Sequence, residues 1–380
     1  MRWLILTSST GTGHDMRAES IRQWSRLVYG DTVEVRVVQV LESTHWLYKF
    51  GVGFYNCIQR YAPRFHHVYY NYLEVAAMHR HGRKILGRDL FTRLIQDWRP
   101  DRVISVHDQT NHGFLELART ALPDVPLRTV TYCTELSSGY GFSRHWTNPR
   151  VDGFIGATAK VCAAARAVGT PDDRVLLGGL LLRSAFFAPE AEIEAATDAL
   201  ARALKLDRAV FTLLLSTGSV GANNHLALLR RLADSGRKLQ VIVLCSKNTA
   251  LRARVEAFAS AHPALVIRAL GHTEEMPALT RLASAIVARP GTGATSEAVL
   301  LGTPVIHNGI GGVMPQELIT VKYCREHGCS LFGSSPREII RQVIRLMEEP
   351  AFADTLRANL RAARPPGHPE QIVRWIHDRT

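Results

Sequence analysis

Short, continuous runs of hydrophobic residues recur along the chain at 3–7, 33–40, 103–106, 127–132 and 153–157, and again at 210–215, 239–244, 265–268, 285–288 and 304–307. The apolar positions are consecutive rather than alternating, as in strands covered by helices on both faces. Between them, stretches such as 16–29, 84–98 and 112–122 space their apolar residues for helices. Strand and helix alternating at this period predict parallel α/β sheets, and ten strands are more than one small sheet holds. The rhythm breaks around 181–191, where Arg183-Ser184-Ala185-Phe186-Phe187-Ala188-Pro189 leads into an Ala- and Glu-rich helix. The chain thus divides into two doubly wound domains, 1–180 and 181–364. Residues 365–380, set off by Pro365-Pro366-Gly367-His368-Pro369, form a terminal helix that packs back toward the first domain. Sheets of this kind bind ligands beyond the carboxyl ends of their strands, so the expected site is the cleft between two facing domains.

Four glycine-bearing loops stand at such strand ends. Ser8-Ser9-Thr10-Gly11-Thr12-Gly13-His14 comes after the first strand and opens a helix, which places His14 at its mouth. Small residues there let backbone amides meet a ligand at the positive end of a helix, although a tight turn without a ligand has the same sequence. The dinucleotide fingerprint is incomplete, because Met16 stands where its third glycine would fall. Ala288-Arg289-Pro290-Gly291-Thr292-Gly293-Ala294-Thr295-Ser296-Glu297 interleaves hydroxyls with glycines before a helix, which suits a diphosphate. Glu297, one turn in, either accepts from two vicinal sugar hydroxyls or simply sits at the positive end of the helix dipole. The loop at 216–223 has a similar make-up, and two such loops in one domain would cradle one nucleotide diphosphate. In the last loop, flexible backbone from Asn308 onward ends in adjacent Gln316 and Glu317, a pair that reads several hexose hydroxyls or else an ordinary helix start.

Charge narrows the partner. Forty-six Lys and Arg against 34 Asp and Glu leave +12 and a pI near 9.7, which favours nucleic acid, a phosphorylated substrate or an acidic membrane. Half of the excess is local: residues 44–99 hold nine Lys and Arg against three Asp and Glu, and residues 44–73 hold ten of the 29 aromatic residues, among them Trp46, Phe54 and Tyr55. Aromatic rings with Arg80, Arg83 and Lys84 directly after them suit a membrane interface, where cations meet anionic lipid; an aromatic helical core is the plain alternative. Nucleic acid is disfavoured, since no RNA-binding signature is present and the aromatics fall on one helical segment. No run of 18 apolar residues occurs and Met1 to Leu6 is too short for a signal peptide, so neither a spanning nor a secreted chain is expected. Six cysteines without C-x-x-C spacing read as small buried hydrophobes in a reducing compartment.

Taken in order, these stretches resemble glycosyltransferase family 28, and the first domain resembles in particular the monogalactosyldiacylglycerol synthases and bacterial diacylglycerol glucosyltransferases. The matching residues in the first half are Gly11-Thr12-Gly13-His14 with Ala18-Glu19-Ser20-Ile21, Ile104-Ser105-Val106-His107 with Asn111-His112, and Thr131-Tyr132-Cys133-Thr134-Glu135-Leu136 with His145-Trp146 beyond. In the second half they are Gly271-His272-Thr273-Glu274-Glu275-Met276, Pro290-Gly291-Thr292-Gly293 with Glu297-Ala298, and Pro315-Gln316-Glu317. Glu135 stands where the family usually has Asp, Thr12 separates glycines that are often contiguous, and Ser216-Thr217-Gly218 replaces a richer glycine loop. The resemblance implies a GT-B fold, two Rossmann-like doubly wound domains, and inverting transfer of a hexose from a UDP-sugar to diacylglycerol. It places the acceptor at Gly13, His107, His145 and Trp146, with membrane contact through Trp46, Phe54, Tyr55, Arg80, Arg83 and Lys84. The donor falls to Thr217, Gly218, Ser219, His272, Thr273, Gly291, Thr292, Gly293, Glu297, Pro315, Gln316 and Glu317.

Inverting transfer needs a base for the acceptor hydroxyl and positive partial charge for the leaving UDP. No Asp-x-Asp pair occurs, so no metal is expected to hold the diphosphate; loop amides and helix starts would do so. No cofactor is expected either, the UDP-sugar being a substrate. His14 is the first choice for the base, because imidazole titrates near neutrality, with Glu135 and Asp108 as rivals if burial raises their proton affinity. The expected partners are a UDP-hexose, diacylglycerol or a related lipid and an anionic membrane surface, with the protein cytoplasmic and peripheral on the inner face. Galactose, glucose and N-acetylglucosamine donors stay open. So do transfer to another lipid or a soluble acceptor, a UDP-N-acetylglucosamine 2-epimerase, which would need no lipid-binding segment, and a non-catalytic nucleotide-sugar binder.

Overall fold

A computed structural model of the chain describes residues 1–11, 13–61, 65–76, 79–216 and 224–378. Among these residues twelve strands make two all-parallel six-stranded sheets. The first holds β1 (Arg2–Thr7), β2 (Glu34–Gln39), β3 (Arg102–Ser105), β4 (Arg128–Cys133), β5 (Gly153–Gly156) and β6 (Val175–Leu177), in the order β2-β1-β3-β4-β5-β6. The second holds β7 (Thr212–Leu215), β8 (Gln240–Ser246), β9 (Val266–Gly271), β10 (Ala285–Ala288), β11 (Val305–Asn308) and β12 (Leu331–Gly333), in the order β12-β11-β10-β7-β8-β9. Strands β3, β5, β7, β10 and β11 are buried at every position, which is why their sequences are continuous apolar runs. The two strands that the apolar pattern does not reveal, β6 and β12, are three-residue edge strands, half-buried for the most part and so carrying little hydrophobic signal. The α/β expectation of two Rossmann-like sheets thus holds.

Contacts gather the chain into two compact units, Met1–Ser184 with Met314–Ile319 and Pro365–Thr380, and Ala185–Val313 with Thr320–Arg364. The first unit therefore takes two pieces from late in the sequence. One is the terminal helix Pro369–Asp378, whose Ile372, Val373 and Ile376 are buried and which packs on the Gly13–Tyr29 helix. Its carbonyl end is met by a cation: the Arg102 guanidinium donates to the Ile376 and His377 oxygens, both at 3.2 Å. The turn that returns the chain needs Gly367, at φ 117°, where a Cβ would overlap the Gly178 carbonyl. The other piece, Met314–Ile319, comes from the middle of the stretch assigned by sequence to the second domain.

In each sheet the strand order reverses once, between β1 and β3 in the first and between β7 and β10 in the second. The crevice at such a reversal, outside the carboxyl ends of the strands, is where open α/β sheets receive ligands. Among the described residues no helix is long and apolar enough to cross a membrane. All six cysteines are free; five are buried as expected, but Cys57 is exposed, because it lies on the outer face of the Trp46–Tyr61 helix.

Candidate active site

At the first reversal, the loop after β1 has already used its polar groups. The Ser9 amide donates to Glu42 Oε1 at 2.6 Å and the Gly11 amide to Asn56 Oδ1 at 3.2 Å, while the Thr7 and Ser9 hydroxyls donate to Asp15 at 2.9 and 2.6 Å. A phosphate brought here would face two carboxylates and amides that are taken. Gly11, at φ 82°, adopts a conformation that favours glycine, and the helix that opens at Gly13 next presents a titratable side chain.

That side chain is His14, at the start of the Gly13–Tyr29 helix. Its Nδ1 lies 2.8 Å from the Val106 carbonyl, so the hydrogen sits there and Nε2 keeps its lone pair. The ring centroid is 4.4 Å from that of His107 and 5.9 Å from that of Trp146. Burial, then the neighbouring His107, push its pKa down to about 3, and the imidazole is neutral. His107 Nε2 is 2.7 Å from Thr10 Oγ1, and its Nδ1 is 3.0 Å from Asp108 Oδ1. Burial acts to raise Asp108, but the hydrogen bond and charge of His107, with His145 and His14 beyond, hold it well below the usual carboxylate range.

Glu135, in the loop after β4, behaves oppositely. It is 7% exposed, takes a hydrogen bond from Trp146, and leaves Oε2 without a partner among the described residues. Burial first, and then the charge of Asp108, push its pKa up to about 8. Two carboxyl groups in one site are thus driven apart, one a fixed anion and one protonated at neutrality.

His14, His107, Asp108 and Glu135 line a single cavity. Its far wall is apolar and aromatic: Leu47, Tyr48, Val52 and Tyr55 come from the Trp46–Tyr61 helix and Tyr69, Tyr70 and Leu73 from the His66–Ala76 helix. Residues that line it carry buried polar atoms with no partner among the described residues: Glu135 Oε2, both ring nitrogens of His66, Nδ1 of His79 and Oε1 of Gln316. Each such buried atom costs about 1–3 kcal/mol if left unpaired, so the set points to a hydroxylated ligand. Gln316 was a candidate from its loop, whereas His66 and His79 carry no motif in the sequence and only the fold brings them to the cavity lining.

The same two helices are apolar on their outer sides as well. Trp46 is 72% exposed, with Phe50 and Phe54 beside it, and Val75 is 80% exposed, with Val68 and Tyr72 on the same face. The aromatic segment thus has two faces on one pair of helices, one lining the cavity and one exposed and apolar. Arg80, Arg83 and Lys84 come next along the chain and are exposed. Other expected acceptor residues do not line this cavity: Gly13 only opens its helix, and His145 is buried with its ring centroid 6.0 Å from that of His112.

At the second reversal, Gly291 precedes the helix Thr292–Leu301 beyond β10, and nothing lies within 4 Å of where Gly291 or Gly293 would carry a Cβ. The first-turn amides of such a helix have no intrahelical acceptor, and here the backbone around them is open to approach. Arg289 donates to the Asn308 and Ile310 carbonyls, each at 3.3 Å, fixing the loop after β11 beside it. Glu297 is half-buried on that helix. His272 is exposed with Nε2 3.1 Å from Glu274 Oε1, and Thr273 Oγ1 accepts from the Glu275 amide at 3.1 Å, a closed turn after β9. Thr217, Gly218 and Ser219 lie outside the described residues. The Gln316-Glu317 pair splits: Glu317 Oε2 accepts from the Met314 amide at 2.9 Å and caps its own helix, while only Gln316 lines the cavity of the first unit. Pro315 shapes the turn between them without lining it.

Two parallel Rossmann-like sheets with sites at their reversals define a class, the GT-B glycosyltransferase fold. Solved structures share it: the UDP-GlcNAc 2-epimerase of Neisseria meningitidis superposes with a TM-score of 0.61 at 15% identity over the whole of both chains. Acinetobacter baumannii MurG does so at 0.57 and 12%, over 99% of each. At such identities these likenesses establish the fold alone. The sequence carries the likeness further: residues 14–181 match the model of the monogalactosyldiacylglycerol (MGDG) synthase family. The chain is 26% identical to monogalactosyldiacylglycerol synthase 1 of Arabidopsis thaliana over 99% of its length and 70% of the relative's. It is 23% identical to the processive diacylglycerol beta-glucosyltransferase of Bacillus licheniformis over 94% of its length and 90% of the relative's. The resemblance to the diacylglycerol glycosyltransferases of family 28, read from the motifs, is borne out.

Proposed function

We propose that the protein transfers a hexose from a UDP-sugar to diacylglycerol or a related lipid, with inversion, while bound peripherally at the inner face of the cell membrane. One observation carries this reading: a cavity whose lining residues hold buried polar atoms with no partner among the described residues is walled in part by two helices whose outer faces are exposed and apolar. Diacylglycerol is divided in the same way, with a hydroxyl for the polar end and acyl chains that need never leave the lipid phase. The names of the curated relatives support the same acceptor.

In the reaction the acceptor oxygen bonds to the anomeric carbon as the bond from that carbon to UDP breaks, and the acceptor proton must leave. Glu135 is its destination. A conjugate acid near 8 holds a proton that one near 3 releases, so His14 and the still more acidic Asp108 are poor acceptors. His14 orients the hydroxyl through its Nε2 lone pair, and Asp108 fixes His107 and raises Glu135. The leaving diphosphate is held at the helix start after Gly291, with the ribose hydroxyls on Glu297, and neither metal nor cofactor takes part.

The test supplies each radiolabelled UDP-hexose with diacylglycerol vesicles, with and without anionic lipid and EDTA, and pairs it with vesicle flotation. The expected result is label in the lipid phase, unaffected by EDTA, and flotation strengthened by anionic lipid. Label confined to the aqueous phase with every donor, or epimerisation of the nucleotide sugar without lipid, would overturn it.

A further inference from the structure

The Pro315-Gln316 turn is gripped from two sides within the first unit. Gly141, at φ 94° in the loop that also carries Glu135, packs so closely on the Pro315 carbonyl that a Cβ would overlap it. From the other side the Gln316 amide nitrogen donates to the Tyr55 hydroxyl. With its nitrogen held by Tyr55, the Gln316 side chain, which lines the cavity, leaves Oε1 buried and without a partner among the described residues, an acceptor with room in its bonding for a hydroxyl. Tyr55 lies on the inner face of the helix whose outer face bears Trp46, Phe50 and Phe54. Its ring also meets that of His66 edge-on at 4.7 Å, at the start of the second apolar-faced helix.

We propose that Tyr55 is a positioning residue that couples seating of the Trp46–Tyr61 helix on lipid to capture of the donor hexose by Gln316. The inference rests on the proposed UDP-hexose and lipid substrates and adds how one prepares the site for the other. A helix fixed on a lipid surface holds its inner side chains in one arrangement. Tyr55 then presents the Gln316 oxygen to a sugar hydroxyl, whereas in free solution the helix pair has no such support. The sugar, and not the uridine or the diphosphate, feels the difference.

Calorimetry on the full chain tests it, measuring UDP-hexose and UDP affinities with and without vesicles of phosphatidylcholine and phosphatidylglycerol, for wild type, Tyr55→Phe and Gln316→Ala. In wild type, vesicles tighten UDP-hexose binding roughly three- to tenfold, the worth of one hydrogen bond, and leave UDP unchanged. Tyr55→Phe abolishes the vesicle effect and raises the KM for UDP-hexose by the same factor with little change in kcat, while Gln316→Ala abolishes it and adds nothing in the double variant. A loss of general stability would weaken UDP and UDP-hexose alike, which separates a merely structural role. A vesicle effect retained in Tyr55→Phe, or absent in wild type, overturns the coupling. Hexose transfer to diacylglycerol by wild type, measured separately, still tests the substrate assignment.

Discussion

The two reversals of strand order are topologically alike and chemically unlike. Beyond β1 and β3 stand His14, His107 and Asp108, with Glu135 across from them, and the loop amides are already taken by Glu42 and Asn56. Beyond β10 stand an uncrowded helix start and a pinned Arg289, with Glu297 the only carboxylate between Ala288 and Leu301. The first gathers titratable side chains, which suits the proposed proton exchange with a hydroxyl; the second offers an uncrowded helix start, which suits the proposed diphosphate. One α/β topology, used twice, carries different side chains at its two crevices, titratable groups at one and an uncrowded helix start at the other.

Substitution at the proton-handling side should break the comparison most severely. Glu135→Gln keeps the shape and removes the base, and should lower kcat by about a thousandfold while UDP affinity stays within a fewfold. His14→Ala should cost less, since it removes an orienting group, so a larger loss there would return the base to His14. On the other side, Glu297→Ala should weaken UDP binding by roughly ten- to a hundredfold, the loss of charge-assisted hydrogen bonds to the ribose, and leave proton chemistry untouched. Calorimetry with UDP and turnover at saturating donor separate the two.

pH sharpens the contrast further. Glu135 is held protonated below about 8, so kcat/KM should climb with pH to about 8 and this limb should vanish in Glu135→Gln. The sign for stability is the reverse. The unfolded carboxyl ionises near 4.3 and the folded one near 8, so the native state holds the extra proton and loses stability as pH rises between them. From pH 6.5 to 8 this amounts to about 2 kcal/mol at most, visible as a falling wild-type Tm that Glu135→Gln flattens. His14 works oppositely, its depressed pKa costing stability as pH falls from about 6.5 toward 3.

Much of the architecture was legible because it is written locally. Apolar-rich runs mark ten of the twelve strands, although β2 mixes polar and apolar residues, and the glycine loops mark strand ends at both reversals. Of the site itself, His14, His107, Asp108, Glu135 and Gln316 were candidates by residue type and position. Their roles were not legible, because proton affinity belongs to surroundings: burial lowers the pKa of His14 and raises that of Glu135, and the next contributions come from His107 and from Asp108, 27 positions before Glu135. The aromatic segment likewise could not be divided into cavity wall and exposed apolar face, since both lie on the same helices and only packing separates inside from outside.

By itself, then, the sequence determined two parallel sheets and the glycine-bearing loops at their strand ends, since hydrophobic period and turn residues act over a handful of positions. Only the tertiary structure decided which side chains share a cavity, that Glu317 caps a helix while Gln316 meets Tyr55 across 261 positions, and which carboxyl can take a proton. Those are sums over neighbours brought together by folding, and no local pattern carries them.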